Sequence, residues 1–236
     1  MALLSRIVGP GLHGARYAQP ARRLGEVTVA VRALLAGEPA PVPRHPAARP
    51  VRLAAGVAVD MPVWIAATGR WTVPVAAELA DGWYPFLLGP RQCREWTDGF
   101  AGAGGAVRAR PRPLTVATGP FTVAGPDQER ARALAGACVT RYLTGMGDGY
   151  PQLVAAQGFG AEVELVRAAT VESRGDSGAV PAAAQTLLDE FTAHGPAERV
   201  QERLRWWHAA VDITMVVLPP GISWPALEAT LRAAAP

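Results

Sequence analysis

At 236 residues, half of them apolar and 18% charged, the chain is long enough for one sizeable core and short for two. The formal charge is only +3, and the positive side chains are arginines spread along the whole length with no lysine, whereas a nucleic-acid binder needs a clustered basic face. Cys93 and Cys138 have no partners at metal-ligand spacing, and no stretch approaches the roughly 18 uninterrupted apolar residues of a membrane span, so no metal, nucleic acid or membrane is expected as partner.

The opening MALLSRIVGPG lacks a signal-peptide pattern, which points to a cytoplasmic protein. Arg6–Val8 is a short apolar run before the turn Gly9-Pro10-Gly11. Leu24, Val27, Val31, Leu34 and Leu35 have the spacing of an amphipathic helix over Pro20–Ala36, bounded by Pro20 and Gly37. Residues 38–61 form a long proline-rich loop, with one extended piece at Val51–Leu53. Strands are expected at Val63–Ala67 and Gly82–Pro85, with a helix between them and another over Pro90–Ala103. Leu114–Ala124, LTVATGPFTVA, is the clearest β signal and is interrupted by Gly119-Pro120. Helices follow over Asp127–Leu143, Tyr150–Phe159, Ala161–Ala169, Pro181–Ala193 and Ala197–Ala210. Asp212–Leu218, DITMVVL, reads as a strand buried on both faces, and Trp224–Ala234 as a closing helix. Helices alternating with about five short apolar strands predict a parallel α/β sheet, short of the eight strands of a closed (β/α)8 barrel.

Chemistry in such proteins sits in the loops at the carboxyl ends of strands. The loop Ala66-Ala67-Thr68-Gly69-Arg70 has small residues that let backbone N–H groups approach an anion, with an arginine beside them; the competing reading is a plain strand-to-helix turn. Trp83, Tyr84 and Phe86 end the next strand and either stack on a planar ligand or pack in the core. His13 follows Arg6–Val8 and is either an acid or base near neutral pH or an exposed loop histidine. His194 and His208, placed on helices, read as structural, and Asp81 reads as a turn residue.

Pro62–Pro90, PVWIAATGRWTVPVAAELADGWYPFLLGP, resembles the middle of bacterial luciferase-like monooxygenases, closest to the subgroup that uses the deazaflavin coenzyme F420. Gln19–Glu38, Asp148–Val163 with Gly158-Phe159-Gly160, and Gly195–Val200 leading to Val211-Asp212 resemble further parts of the same family, in collinear order. The resemblance implies one partial TIM-type (β/α) barrel domain over residues 1–236, lacking the first three β/α units, with Arg6–Gly11 matching the fourth strand. It implies hydride transfer between a deazaflavin, or alternatively FMN, and a small organic substrate. Cofactor contacts would come from Gly9, Gly11, Ala66, Ala67, Thr68, Gly69 and Arg70, catalysis from His13, and substrate contacts from Trp83 and Tyr84. An open barrel would expose a parallel edge and an apolar face, which predicts a homodimer. The rival reading is a cofactor-free relative, either a non-redox enzyme such as a cyclase or a ligand-binding protein of secondary metabolism.

Overall fold

The computed structural model describes residues 18–41, 49–54, 58–102, 113–173 and 180–235. The expected first strand at Arg6–Val8, together with Gly9, Gly11 and His13, lies outside the described residues. Helix α1 (Pro20–Leu35) precedes β1 (Trp64–Ala66), α2 (Val73–Leu79), β2 (Gly82–Tyr84), α3 (Pro90–Gly102), β3 (Thr115–Thr118) and β4 (Phe121–Ala124). Then come α4 (Gln128–Thr144), α5 (Gly149–Val154), a π turn (Ala155–Phe159) and α6 (Gly160–Glu172). A 3-10 turn (Ala182–Ala184), α7 (Gln185–Phe191), β5 (Thr192–Gly195), α8 (Ala197–His208), β6 (Ile213–Thr214) and α9 (Trp224–Ala234) complete the order.

Every pairing between these strands is parallel, in the order β1-β2-β3-β6, with β4 paired to β5. The expected strand 114–124 is one extended path broken at Gly119-Pro120: β3 contacts β2 and β6, while β4 contacts β5 and Phe121 bridges to Val217. Gly119 is required by close approach, because a Cβ there would run into the backbone carbonyl of Met215. Asp212 sets the register of β6, its carboxylate accepting from Val116 N–H at 2.7 Å while its own N–H donates to the Val116 carbonyl at 3.0 Å.

Three expectations are corrected. Residues 212–218 are not buried on both faces: β6 ends the sheet among the described residues, leaving Ile213 47% and Met215 37% exposed. The helix expected to run to Ala193 stops at Phe191, because Thr192–Gly195 pairs in parallel with β4 as β5. Val51–Leu53 is exposed and in no strand.

One core cluster packs Leu24 of α1, Ile65, Val73, Trp83, Leu88 and Val116 around β1–β3. A second lies among α4–α7 and includes Phe121, Val139, Leu143, Val166, Leu187 and Phe191. Each such large side chain contributes about 1.5–3 kcal/mol on burial. Asp127 caps α4, accepting from Arg130 N–H at 3.0 Å, as its position before the helix predicts. Arg32 of α1 reaches Asp81 before β2 at 2.6 Å, and the same carboxylate oxygen accepts from Val63 N–H at 2.8 Å. Asp81 is thus the latch between α1 and the entry to β1, in keeping with a turn residue rather than a base. No helix among the described residues is long and apolar enough to cross a membrane.

Candidate functional site

The register of β1 and β2 places Ala66 opposite Tyr84, so the loops that follow, Ala67–Thr72 and Pro85–Gly89, leave the same end of the sheet side by side. In the first loop Ala67 is buried and its carbonyl accepts from Trp83 Nε1 at 2.8 Å. Gly69 closes the turn: its carbonyl accepts from Thr72 N–H at 2.9 Å and Val73 N–H at 3.0 Å, and its N–H donates to Thr72 Oγ1 at 3.2 Å. The N–H groups of Arg70 and Trp71 have no hydrogen-bond partner among the described residues, and the Arg70 guanidinium lies 4.7 Å from the Trp71 ring. Two open N–H groups and an exposed guanidinium fit a phosphate oxygen. The N-terminus of α2 contributes less than the sequence implies, because the helix has only seven residues and its first N–H is spent on Gly69.

The second loop is strained and braced. Leu87 adopts φ 55°, an uncommon backbone region for a residue with a branched side chain. Gln157, buried in the π turn, holds it: Nε2 donates to the Leu87 carbonyl at 3.0 Å, and Oε1 accepts from Gly89 N–H at 2.9 Å. Strain of this kind persists only where the surroundings over-determine it. The glutamine is aimed by the kink at Gly158, whose φ of 100° lets α5 turn into α6.

The brace positions Phe86 at the centre of an aromatic group. Its ring centroid is 4.8 Å from that of Tyr142, 5.7 Å from Phe121, and 6.0 Å from both Tyr84 and Tyr150. The Tyr84, Tyr142 and Tyr150 hydroxyls have no hydrogen-bond partner among the described residues. Burial, and then the neighbouring Tyr142 and Tyr150, raise the Tyr84 phenol above its ordinary value; burial first also raises Tyr142 and Tyr150. All three therefore remain protonated donors at neutral pH. Below them, the Thr118 hydroxyl donates to the Pro85 carbonyl at 2.8 Å, tying the root of the second loop to β3.

Of the sequence candidates, Ala66, Ala67, Thr68, Gly69 and Arg70 fall together at the strand end beside Tyr84, which is half-buried in the aromatic group. Trp83 is corrected to a core residue: it is fully buried, spends its N–H on Ala67 and stacks on Trp96 at 5.9 Å. Alternation along β2 sends Trp83 and Tyr84 to opposite faces, so both cannot meet one ligand. Sequence reading did not single out Gln157, Tyr142 or Phe121. The only signal was the Tyr150 to Gly160 segment, noted as a pattern and not as a wall of the site.

Comparison with known proteins follows the same outline. The family model described as luciferase-like monooxygenase matches residues 9–212. A Mycobacterium tuberculosis protein, provisionally named a coenzyme F420-dependent oxidoreductase, is 30% identical over 174 residues, covering 69% of this chain and 48% of that protein. The chain thus spans about half the length of the curated relative it matches. Among solved structures, the coenzyme F420-dependent tetrahydromethanopterin reductase of Methanopyrus kandleri superposes with a TM-score of 0.59 at 22% identity, over 85% of this chain and 58% of that one. The oxygenating constituent of 3,6-diketocamphane monooxygenase from Pseudomonas putida, in complex with FMN, superposes with a TM-score of 0.57 at 15% identity, over 95% and 65%. These likenesses establish the fold: the parallel sheet and its helices are part of a luciferase-like TIM-type barrel.

Proposed function

The chain belongs to the luciferase-like monooxygenase family, and on that premise we propose that it binds a deazaflavin or flavin and passes hydride between it and a small organic substrate. The observation that carries this reading is the juxtaposition of the Ala66–Arg70 loop with Tyr84 across the β1–β2 register. The loop's small residues, open N–H groups and Arg70 would hold the cofactor phosphate. The Tyr84, Phe86, Tyr142 and Tyr150 group would face the planar ring or the substrate, with phenol hydroxyls as donors and aromatic edges excluding water. When bound, the cofactor supplies the hydride chemistry; the protein supplies binding, orientation and water exclusion. Coenzyme F420 is the first choice, because the curated relative is named for it, and FMN the second. The same reading takes residues 1–236 as one partial barrel domain, cytoplasmic, with Gly9, Gly11 and His13 beside the cofactor.

The exposed Ile213 and Met215 at the end of the sheet support a homodimer formed over that edge. Light scattering that finds only a monomer refutes this part.

The test is calorimetric or fluorescence titration of the purified chain with coenzyme F420 and, separately, FMN. Micromolar binding of either, weakened about tenfold or more by Gly69→Val, supports the reading. The added side chain would crowd Thr72 Oγ1, which a Cβ at Gly69 already meets at 3.3 Å. A folded protein that binds neither cofactor overturns it in favour of the cofactor-free relative.

A further inference from the structure

A cavity of about 490 Å3 opens at the carboxyl ends of β4 and β5, whereas the candidate site lies at those of β1 and β2. Its walls include Glu129 and Arg132 of α4, Gln185 and Asp189 of α7, His194 of β5 and Arg199 of α8. His194 is only 6% exposed. Its Nδ1 lies 2.7 Å from Thr192 Oγ1, and the Thr192 hydroxyl gives its one proton to the Leu188 carbonyl, also at 2.7 Å. Nδ1 therefore carries the ring proton and donates to Thr192, which leaves Nε2 a bare acceptor. That nitrogen has no hydrogen-bond partner among the described residues, and its residue lines the cavity. Burial, followed by the charges around it, pushes the imidazole down to about 4, so it is neutral near pH 7. The neighbouring charges are the guanidiniums of Arg199, Arg132 and Arg203 against the carboxylate of Asp189, a positive balance.

The cavity also adjoins the N-terminus of α8, a helix of 12 residues that has no side-chain cap, in contrast to α4. The Ala197, Glu198 and Arg199 N–H groups have no hydrogen-bond partner among the described residues. Arg132 uses Nε on Gln185 and Nη2 on the Val180 carbonyl, which fixes its direction and leaves Nη1 available. Arg199 meets Asp189 at 3.2 Å in a half-exposed pair that an incoming anion can exchange. Glu129 is exposed, so solvent screens its opposing charge.

We propose that this cavity binds hydrogenphosphate, a small oxyanion bearing a hydroxyl, with Arg132, Arg199 and the first turn of α8 taking the charge and His194 Nε2 accepting from the hydroxyl. The neutral acceptor selects between anions of equal charge and shape. Hydrogenphosphate offers the O–H that Nε2 needs; sulfate offers only a lone pair against a lone pair.

The test is calorimetric titration of the full chain with inorganic phosphate, phenyl phosphate and sulfate near neutral pH at matched ionic strength, with nitrogen NMR of His194 in parallel. Saturable phosphate binding about tenfold or more tighter than sulfate, with a shift of the Nε2 resonance, is the expected result. Phenyl phosphate, whose second ionisation at about pH 6 leaves it without an O–H at neutral pH, should bind no better than sulfate, and its binding as well as phosphate would overturn the role given to the hydroxyl. Arg199→Gln and Arg132→Gln should each weaken phosphate about tenfold. Absence of saturable phosphate binding, equal affinity for sulfate, or an unmoved Nε2 resonance overturns the proposal. The resonance is read on the unaltered protein, so the answer does not depend on the variants folding.

Discussion

Replacing Gln157 by leucine tests whether the second strand-end loop is held by one side chain. The substitution roughly keeps the volume and removes three hydrogen bonds, those with the Gly89 N–H and the Leu87 and Leu153 carbonyls, stranding the first two groups, which are buried. Each unsatisfied buried group costs about 1–3 kcal/mol, and the added apolar burial returns about 1, so the net loss is about 3 kcal/mol. Urea unfolding followed by tryptophan fluorescence reads this directly, since Trp83 and Trp207 are fully buried. With a urea slope of about 3 kcal/mol per molar, the midpoint should fall by about 1 M with the slope unchanged. Gln157→Glu refines the test. Ionised, it still accepts from Gly89 but turns an anionic oxygen toward the Leu87 and Leu153 carbonyls; protonated, it regains a donor. Its folded carboxyl is therefore raised above the unfolded value. The stability deficit relative to the parent should be small in acid and grow as pH rises from the ordinary carboxylate range through the raised value. A leucine variant with an unmoved midpoint, or a glutamate variant that tracks the parent at every pH, would refute the brace.

Three further outcomes follow from other parts of the fold. Asp81→Ala loses both the half-exposed Arg32 pair and the acceptor for Val63 N–H, and should cost about 2 kcal/mol in urea unfolding, whereas Asp81→Asn, which keeps an acceptor, should cost about half as much. His194 is held at about 4 against an ordinary 6.5, so the unfolded chain takes up its proton first; stability should be fully present above pH 6.5 and fall by up to about 3 kcal/mol as pH drops to 4. A neutral His194→Gln variant should lack that slope when both proteins are followed by chemical unfolding across this range. Cys93 and Cys138 are buried, and burial raises their thiols to about 12 and about 11, so Ellman's reagent at pH 8 should find almost no thiolate in the native chain and two thiols after denaturation.

The parts legible in the sequence are those fixed by local pattern. The apolar spacing of α1, the β-branched run broken at Gly119-Pro120 and the acidic cap at Asp127 each act within a few residues of themselves, and each element lies within a residue or two of where its pattern puts it. The loop Ala66–Arg70 was legible for the same reason: the chain leaves a buried strand and must turn within a few small residues. What escaped was set by partners far away in sequence. Thr192–Gly195 has the look of a frayed helix end until β4 offers it a ladder some 70 residues distant, and that pairing alone turns His194 from a helix-surface histidine into a buried one. Trp83 and Tyr84 are adjacent aromatics of equal promise in sequence, and only the pleat decides that the first is stacked on Trp96 while the second joins Phe86. Gln157 carries no mark at all: a glutamine in a helical stretch is ordinary until the strained Leu87 loop, 70 residues earlier, presents it with a carbonyl and the adjacent Gly89 N–H with nowhere else to go. The strand-end chemistry of this fold therefore depends most on side chains whose meaning is created by tertiary approach, and a substitution scan should weight such braces as heavily as the groups that would touch a ligand.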